Sequence, residues 1–381
     1  MALRLATITT EDTFASMAQD WDGLVRAMLR PSPFMLHGWL LEWWRHHGNG
    51  AALTVHVAHR DDNLVAALPL FVRRGLGGRV ARFLGGADSA LADLLVAEDE
   101  DENSDAAIGV ANQAAHAGFD FADLFGLPAD NRLSRALGPA RLQLLERVEA
   151  PVLELVGDWD AVYRAKTTSK KRNQHARMRK HLAKLGTLEV AVARRSGELE
   201  PALEEAFRLH ALRWEGRPDR SGFTTPRGLQ FHRAALRALA PLDIPRVVTL
   251  KLDGRAVAYH YYFALAGRMY VHNLGFDPAF SRYSPGLLAT LEAIKAAATE
   301  GLSRVEFLGG TERYKLALAD RLEPLHQGIG LAQTPLGRVT AGARTRWIPL
   351  YKRLKSSPTL RRVYYESLTP ARRAFSRVDE R

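Results

Sequence analysis

The stretch RVVTLKLDGRAVAYHYYFALAGRMYVHNLGFDP (246–278), followed by SPGLLATLEAIKAAATEG (284–301) and RVEFLGGTERYK (304–315), decides the fold. It reads as three short strands, a helix, a further strand and a Gly-Gly turn. Asp253-Gly254 between alternating apolar segments is a hairpin signal, because both turn positions accept positive φ. Ser284-Pro285 marks a helix start, with serine as the cap and proline in the first turn. Leu287, Leu288, Leu291 and Ile294 then recur at helical spacing as a buried stripe, and Gly301 ends the helix as a left-handed cap. An earlier stretch repeats this layout: VAHRDDNLVAALPLFVRRGLGGRVARFLGG (57–86), DAAIGVANQAAHAG (105–118) and FADLFGL (121–127). Gly118, Asp123 and Gly126 pair with Gly301, Glu306 and Gly309 at one constant offset. A fixed offset across a helix and the strand after it implies duplication of an α/β unit.

The chain has 381 residues, enough for two medium domains, each with its own core. No apolar run approaches the roughly 18 residues of a membrane span, and MALRLATITTEDTF has none of the charged start, apolar centre and small-residue cleavage site of an export signal. The expectation is a cytoplasmic protein, with peripheral contact at the inner membrane face as an option left to its basic segments. There is no cysteine, which excludes disulfides, thiolate metal sites and a cysteine nucleophile. The net charge of +11 is uneven. Residues 164–184 hold nine Lys or Arg and no acid, and residues 338–381 hold twelve against three acids. Such clusters attract a phosphate-rich cofactor tail, an RNA or an anionic membrane surface, although a solvated helix face is the commoner use.

The expected organisation is a first domain over 1–150, a second over 151–337 and a basic tail over 338–381. The tail is broken into short helices by Pro349, Pro358 and Pro370. In the first domain an apolar helix holds Trp39 to Trp44, and His46-His47 close it where cations are favoured. In the second, Leu203, Phe207, His210 and Trp214 share one helix face, so His210 reads as a core histidine. Thr225-Pro226 opens the next helix with threonine as its cap. The sequence has no GxxxxGK[ST] loop, HExxH helix or GxSxG turn, and no carboxylates at ligand spacing, so no metal is expected. The loop FDPAFSRYSPG (276–286) instead feeds a helix N-terminus, where open N–H groups and the helix dipole suit a pyrophosphate.

The second half resembles the GNAT acyltransferase superfamily, in a CelD-like branch related to the Fem peptidoglycan transferases. The residues that carry the resemblance begin with Ser169, Lys170, Arg172, Arg177, Arg179 and Lys180. They continue through Leu209-His210, Arg213-Trp214, Asp253-Gly254, Ala258 and Gly275-Phe276-Asp277. Ser284-Pro285-Gly286, Gly309-Gly310 and Tyr314-Lys315 complete a set that covers about residues 165 to 320. The fold implied is α/β in layers: tandem GNAT-like units, each a mixed, mostly antiparallel sheet flanked by helices, with the first copy degenerate.

The resemblance implies acyl transfer from acetyl-CoA, or another acyl-CoA, to an amine on a small molecule or glycan linked to polysaccharide or the cell envelope. The donor would lie between two splayed strands against Leu274, with its pyrophosphate at Arg282, Ser284, Gly286 and Leu287. Tyr314 is the candidate acid, Glu306 and His272 are candidate bases, and His260 and Lys315 would face the acceptor. The segment Arg282-Tyr283-Ser284-Pro285-Gly286 departs from the usual Arg or Gln followed by two glycine positions, and Pro285 removes an amide donor. An aminoacyl-tRNA-dependent Fem-like transferase is therefore one alternative, with tRNA as its partner. A non-catalytic scaffold of an envelope-polysaccharide machine is the other.

Overall fold

The computed structural model describes residues 2–75, 77–215 and 222–356, with the side chains of 351–356 left undescribed. The chain begins with β1 (Leu3–Ile8), α1 (Glu11–Ala15), α2 (Ala18–Arg26) and α3 (His37–His47). Strands β2 (Ala51–Arg60), β3 (Asn63–Gly75), β4 (Gly78–Phe83) and β5 (Leu95–Val96) come next, then α4 (Asp105–Ala115), β6 (Phe121–Pro128), α5 (Arg132–Leu137) and β7 (Leu142–Val148). The second half starts with β8 (Pro151–Glu154), α6 (Trp159–Lys166), α7 (Ser169–Ala183), β9 (Leu188–Ala193), α8 (Ser196–Trp214) and α9 (Pro226–Leu239). It continues with β10 (Pro245–Leu252), β11 (Arg255–Leu265), β12 (Arg268–Phe276), α10 (Pro285–Thr299), β13 (Arg304–Glu306) and α11 (Arg313–Leu318). Strands β14 (Arg321–Leu322) and β15 (Leu325–Gly330) and helix α12 (Pro335–Ser356) complete it.

The two sheets repeat one plan. The first runs β1-β2-β3-β4-β6-β15-β7, with β5 on β3; the second runs β14-β8-β13-β12-β11-β10-β9. In each, a four-strand antiparallel meander ends on a strand that pairs in parallel with the strand after a helix: β4 with β6, and β12 with β13. A parallel neighbour requires a crossover, and α4 and α10 supply it. Gly118 and Gly301, at φ +69° and +82°, follow the two crossover helices in the left-handed conformation their matched positions predict.

The sheets also exchange strands. Strand β15 inserts between β6 and β7, so the chain returns from the second unit to complete the first sheet. Strand β8 follows the first unit and pairs with β13 of the second. Residues 325–330 thus lie in the first sheet, although they fall within the 151–337 span expected for the second domain. One hydrophobic cluster joins Trp21, Trp39 and Leu68 with Phe231, Tyr261 and Tyr270, across both halves. At its centre Trp39 packs edge-on against Phe231, with ring centroids 4.8 Å apart.

Local signals act largely as the sequence predicts. Asp253 and Gly254 take φ of +49° and +77° in the β10–β11 hairpin, and the Thr225 hydroxyl accepts from the Gly228 amide at 3.1 Å. Two expectations fail. Helix α12 runs through Pro349 as one helix, because Ala341 and Ile348 pack it onto Val80, Phe121 and Ile329. Pro358 and Pro370 lie outside the described residues. Ser284 does not cap α10 with its side chain; it sits at φ +51°, ψ 48° and makes no cap hydrogen bond. No described helix is long and apolar enough to cross a membrane.

Candidate active site

Strands β12 and β13 pair only at Arg268–Arg304, Met269–Val305 and Tyr270–Glu306. Beyond Tyr270 they part. The cause is partly local: in the β11–β12 register Tyr262 faces Val271 and Tyr261 faces Asn273, which leaves His272 as the extra residue of a bulge. A bulge bends its strand and re-aims side chains. The parting leaves a cleft of about 450 Å³ whose walls include His272, Asn273, Leu274, Phe307, Tyr314 and Lys315. Arg213 and Trp214, from the end of α8, line its other side.

His272 is half-buried in a cage of rings, with Trp39, Tyr261 and Phe263 centred 5.5, 5.2 and 5.2 Å away. Its Nε2 has no hydrogen-bond partner among the described residues. Burial pushes the imidazole pKa down to about 3, so it is neutral at pH 7: a hydrogen-bond acceptor but a weak base. Tyr314 stands in the first turn of α11, edge-on to Phe307 at 6.4 Å. Burial, with Glu312 nearby, raises its phenol pKa and keeps it protonated. Lys315 is buried; its Nζ donates to the Gly309 carbonyl at 2.8 Å and pairs with Glu312 at 3.1 Å.

The fold brings His272, Leu274, Tyr314 and Lys315 together and leaves the other expected residues elsewhere. Glu306 is fully buried beside the cleft, not in it. Its carboxylate is held by Arg30, by Arg304 at 2.8 Å and by Arg268 at 3.1 Å. A carboxylate satisfied by three guanidiniums is a structural anchor and not a base. His260, one strand further in, is fully buried with both ring nitrogens unpartnered among the described residues, and burial, with Lys315 nearby, lowers its pKa to about 3. It is not among the residues that line the cleft.

Arg282, Ser284, Gly286 and Leu287 lie at the start of α10, outside the cleft walls. Phe276 links the two places. Its ring lies 5.3 Å from the Arg213 guanidinium, and a Cβ on Gly286 would come within 2.9 Å of it. At that helix start Pro285 has no N–H, and the Leu287 and Leu288 amides turn back to the Ser284 carbonyl. Gly286 remains the first-turn amide able to meet an external anion. The basic helix α7 packs beside it: Met178, Phe280 and Tyr283 all lie against the cluster of Leu182 and Leu288, and Leu182 is the one buried residue of α7. The positive segment thus flanks the expected phosphate end.

Sequence reasoning did not single out Arg213 and Asn273 as site residues. Arg213 Nη1 donates to the Leu274 carbonyl at 3.1 Å, and Asn273 accepts from the Tyr259 hydroxyl at 2.8 Å. Arg213 stood in the Arg-Trp pair quoted above, but its reach to β12 depends on how α8 packs. His210 Nδ1 lies 3.0 Å from the Tyr259 hydroxyl, a core contact as expected, while its ring also borders the cleft.

Residues 169–316 match the family model described as an acetyltransferase (GNAT) domain. No curated protein matches the chain. Among solved structures it is similar to FemX, at 11% identity over 86% of this chain and 97% of that one, with a TM-score of 0.58. It is also similar to the C-terminal domain of a putative lysylphosphatidylglycerol synthetase from Agrobacterium fabrum, at 13% identity over 88% and 95%, TM-score 0.54. A third likeness is to L-PGS from Bacillus licheniformis, at 12% identity over 81% and 91%, TM-score 0.51. At these identities the likeness is one of fold. The second unit thus carries the segment that matches a GNAT acetyltransferase domain, and the chain as a whole shares its fold with these structures.

Proposed function

We propose that the cleft between β12 and β13 transfers an acyl group from an acyl-CoA directly to an amine on a small molecule or glycan of polysaccharide or envelope metabolism. The observation that carries this reading is the parting of the two strands at the His272 bulge, with Tyr314 on the facing wall. Strand amides and carbonyls released there can pair with an extended donor arm. The thioester carbonyl would lie near Leu274, and the pyrophosphate would pass Phe276 to the Gly286 amide and the basic α7. The amine nitrogen attacks the thioester carbon and the C–S bond breaks. The Tyr314 phenol, protonated at neutral pH, supplies a proton to the leaving thiolate, and the proton that the attacking nitrogen sheds passes through water to restore the phenol. Neutral His272 accepts a hydrogen bond from the incoming amine and orients its lone pair. Lys315 bears on the acceptor through its charge.

Calorimetric titration of the full chain with acetyl-CoA and longer acyl-CoAs, beside S284E, tests the donor. Saturable binding that the variant loses supports the reading. Absence of binding to any acyl-CoA overturns it and favours an aminoacyl-tRNA donor, for which the exposed lysines and arginines of α7 predict salt-sensitive RNA binding.

A further inference from the structure

The first sheet parts in the same place as the second. Strands β4 and β6 pair only at Val80–Phe121 and Ala81–Ala122, and beyond them opens a second cleft of about 550 Å³. Its chemistry is different. Arg82 from β4, Arg147 from β7 and Arg227 from α9 converge on it from three separate elements. Among the described residues none of the three has an ion-pair or hydrogen-bond partner, whereas Arg30, Arg246, Arg268 and Arg304 are all matched by carboxylates. Arg82 is half-buried, and burial alone lowers its pKa. A guanidinium withdrawn from water without a counterion is costly.

The two acids of this cleft do not answer those arginines. Asp123 is taken by Arg344 and Gln327. Asp88 accepts from the Trp43 indole at 3.0 Å, and burial raises its pKa towards the neutral form. Three unpaired guanidiniums are the donor set that recognises phosphate, through paired N–H groups in a planar fork. The cavity is larger than one phosphate. Ala87 and Asp88 line both clefts, so a ligand seated on the arginines can extend into the one that holds Tyr314.

We propose that the cleft between β4 and β6 is a phosphate-binding subsite, with Arg82, Arg147 and Arg227 as its ligands, and that it seats a phosphate carried by the acyl acceptor. Its amine then reaches the second cleft past Asp88. This assignment of the acceptor's class rests on the acyl-transfer reading; the anion site itself does not. The phosphates of the donor share the same chemistry, and the test separates the two sources.

Inorganic pyrophosphate is titrated into the full chain with and without saturating coenzyme A, for the wild type and for R82Q, R147Q and R227Q. Arg227 is exposed, so R227Q keeps the test valid should R82Q fold poorly. The expected result is pyrophosphate binding that persists beside coenzyme A and weakens about tenfold or more in each variant, while coenzyme A affinity is unchanged. Parallel loss of coenzyme A affinity would hand the site to the donor and overturn the acceptor assignment. Pyrophosphate binding that is absent, or equal in all four proteins, overturns the site itself. If coenzyme A fails to bind the wild type while pyrophosphate still binds through these arginines, the acyl-CoA reading falls and the phosphate subsite stands.

Discussion

Arg30, in the segment between α2 and α3, donates through Nε to Glu306 of β13 at 3.2 Å, across 276 residues of chain. Arg304 and Arg268 complete the shell of that carboxylate, and Arg30 also approaches Glu323 at 3.5 Å. The network ties the first unit to the last paired residue of β12 and β13, next to where the cleft opens. The same position in the first sheet, Asp123, is likewise held by an arginine, Arg344. Duplication thus kept a carboxylate at the base of each parting and gave each a guanidinium from elsewhere in the chain.

E306Q should destabilise the protein by about 3–5 kcal/mol, because it leaves arginines buried without their counterion. Thermal unfolding would show a lower Tm. At temperatures where the variant is folded, its acyl-CoA affinity and the pH dependence of its turnover should match the wild type. A lost acidic limb in the pH–rate profile would restore Glu306 as a base.

Removing the phenol in Y314F should leave folding and acyl-CoA affinity in place and lower kcat by about 100-fold or more, the usual scale of general-acid catalysis. Steady-state kinetics with a reactive thioester check this. An unchanged kcat would reduce Tyr314 to a packing partner of Phe307.

A carboxylate at the start of α10 would repel the donor phosphates and occupy the Gly286 amide. S284E should therefore weaken acyl-CoA binding by about tenfold or more, with the difference shrinking as salt rises. Equal affinities at low salt would move the pyrophosphate away from this helix.

The buried histidines predict loss of stability in acid. His260 and His272 are held neutral, with pKa values near 3, while in the unfolded chain they titrate near 6.5. Below pH 6.5 the unfolded state therefore binds more protons, and stability falls as pH drops towards 3. Each histidine contributes a slope of up to about 1.4 kcal/mol per pH unit. Between pH 7 and 5 the Tm should decline, and H260L should flatten that decline. Identical slopes in both proteins would place the effect in other groups.

Legibility followed the range of the interaction. The β10–β11 hairpin was visible because Asp253-Gly254 sets its own backbone, and the two crossover helices were visible because Gly118 and Gly301 close them locally. The place of Tyr314 on the cleft wall was reachable because it lies eight residues past Glu306 on the same strand–turn–helix unit. His272 was placed on a parting strand, but its bulge depends on the register with β11. Glu306 was misread as a base, since nothing near it in sequence announces Arg30. The second cleft was out of sight for the same reason: Arg82, Arg147 and Arg227 meet only after three elements pack.

The sequence by itself determined the duplicated α/β unit, its hairpin turn, the Thr225 cap and the segment that builds the candidate cleft, all within spans where neighbours in the chain are neighbours in space. The tertiary structure alone decided that β15 completes the first sheet, that one carboxylate is an anchor, and which polar groups share a cavity. Those outcomes depend on strand pairing and burial between segments hundreds of residues apart, and their energy exists only once the two sheets close on a common core.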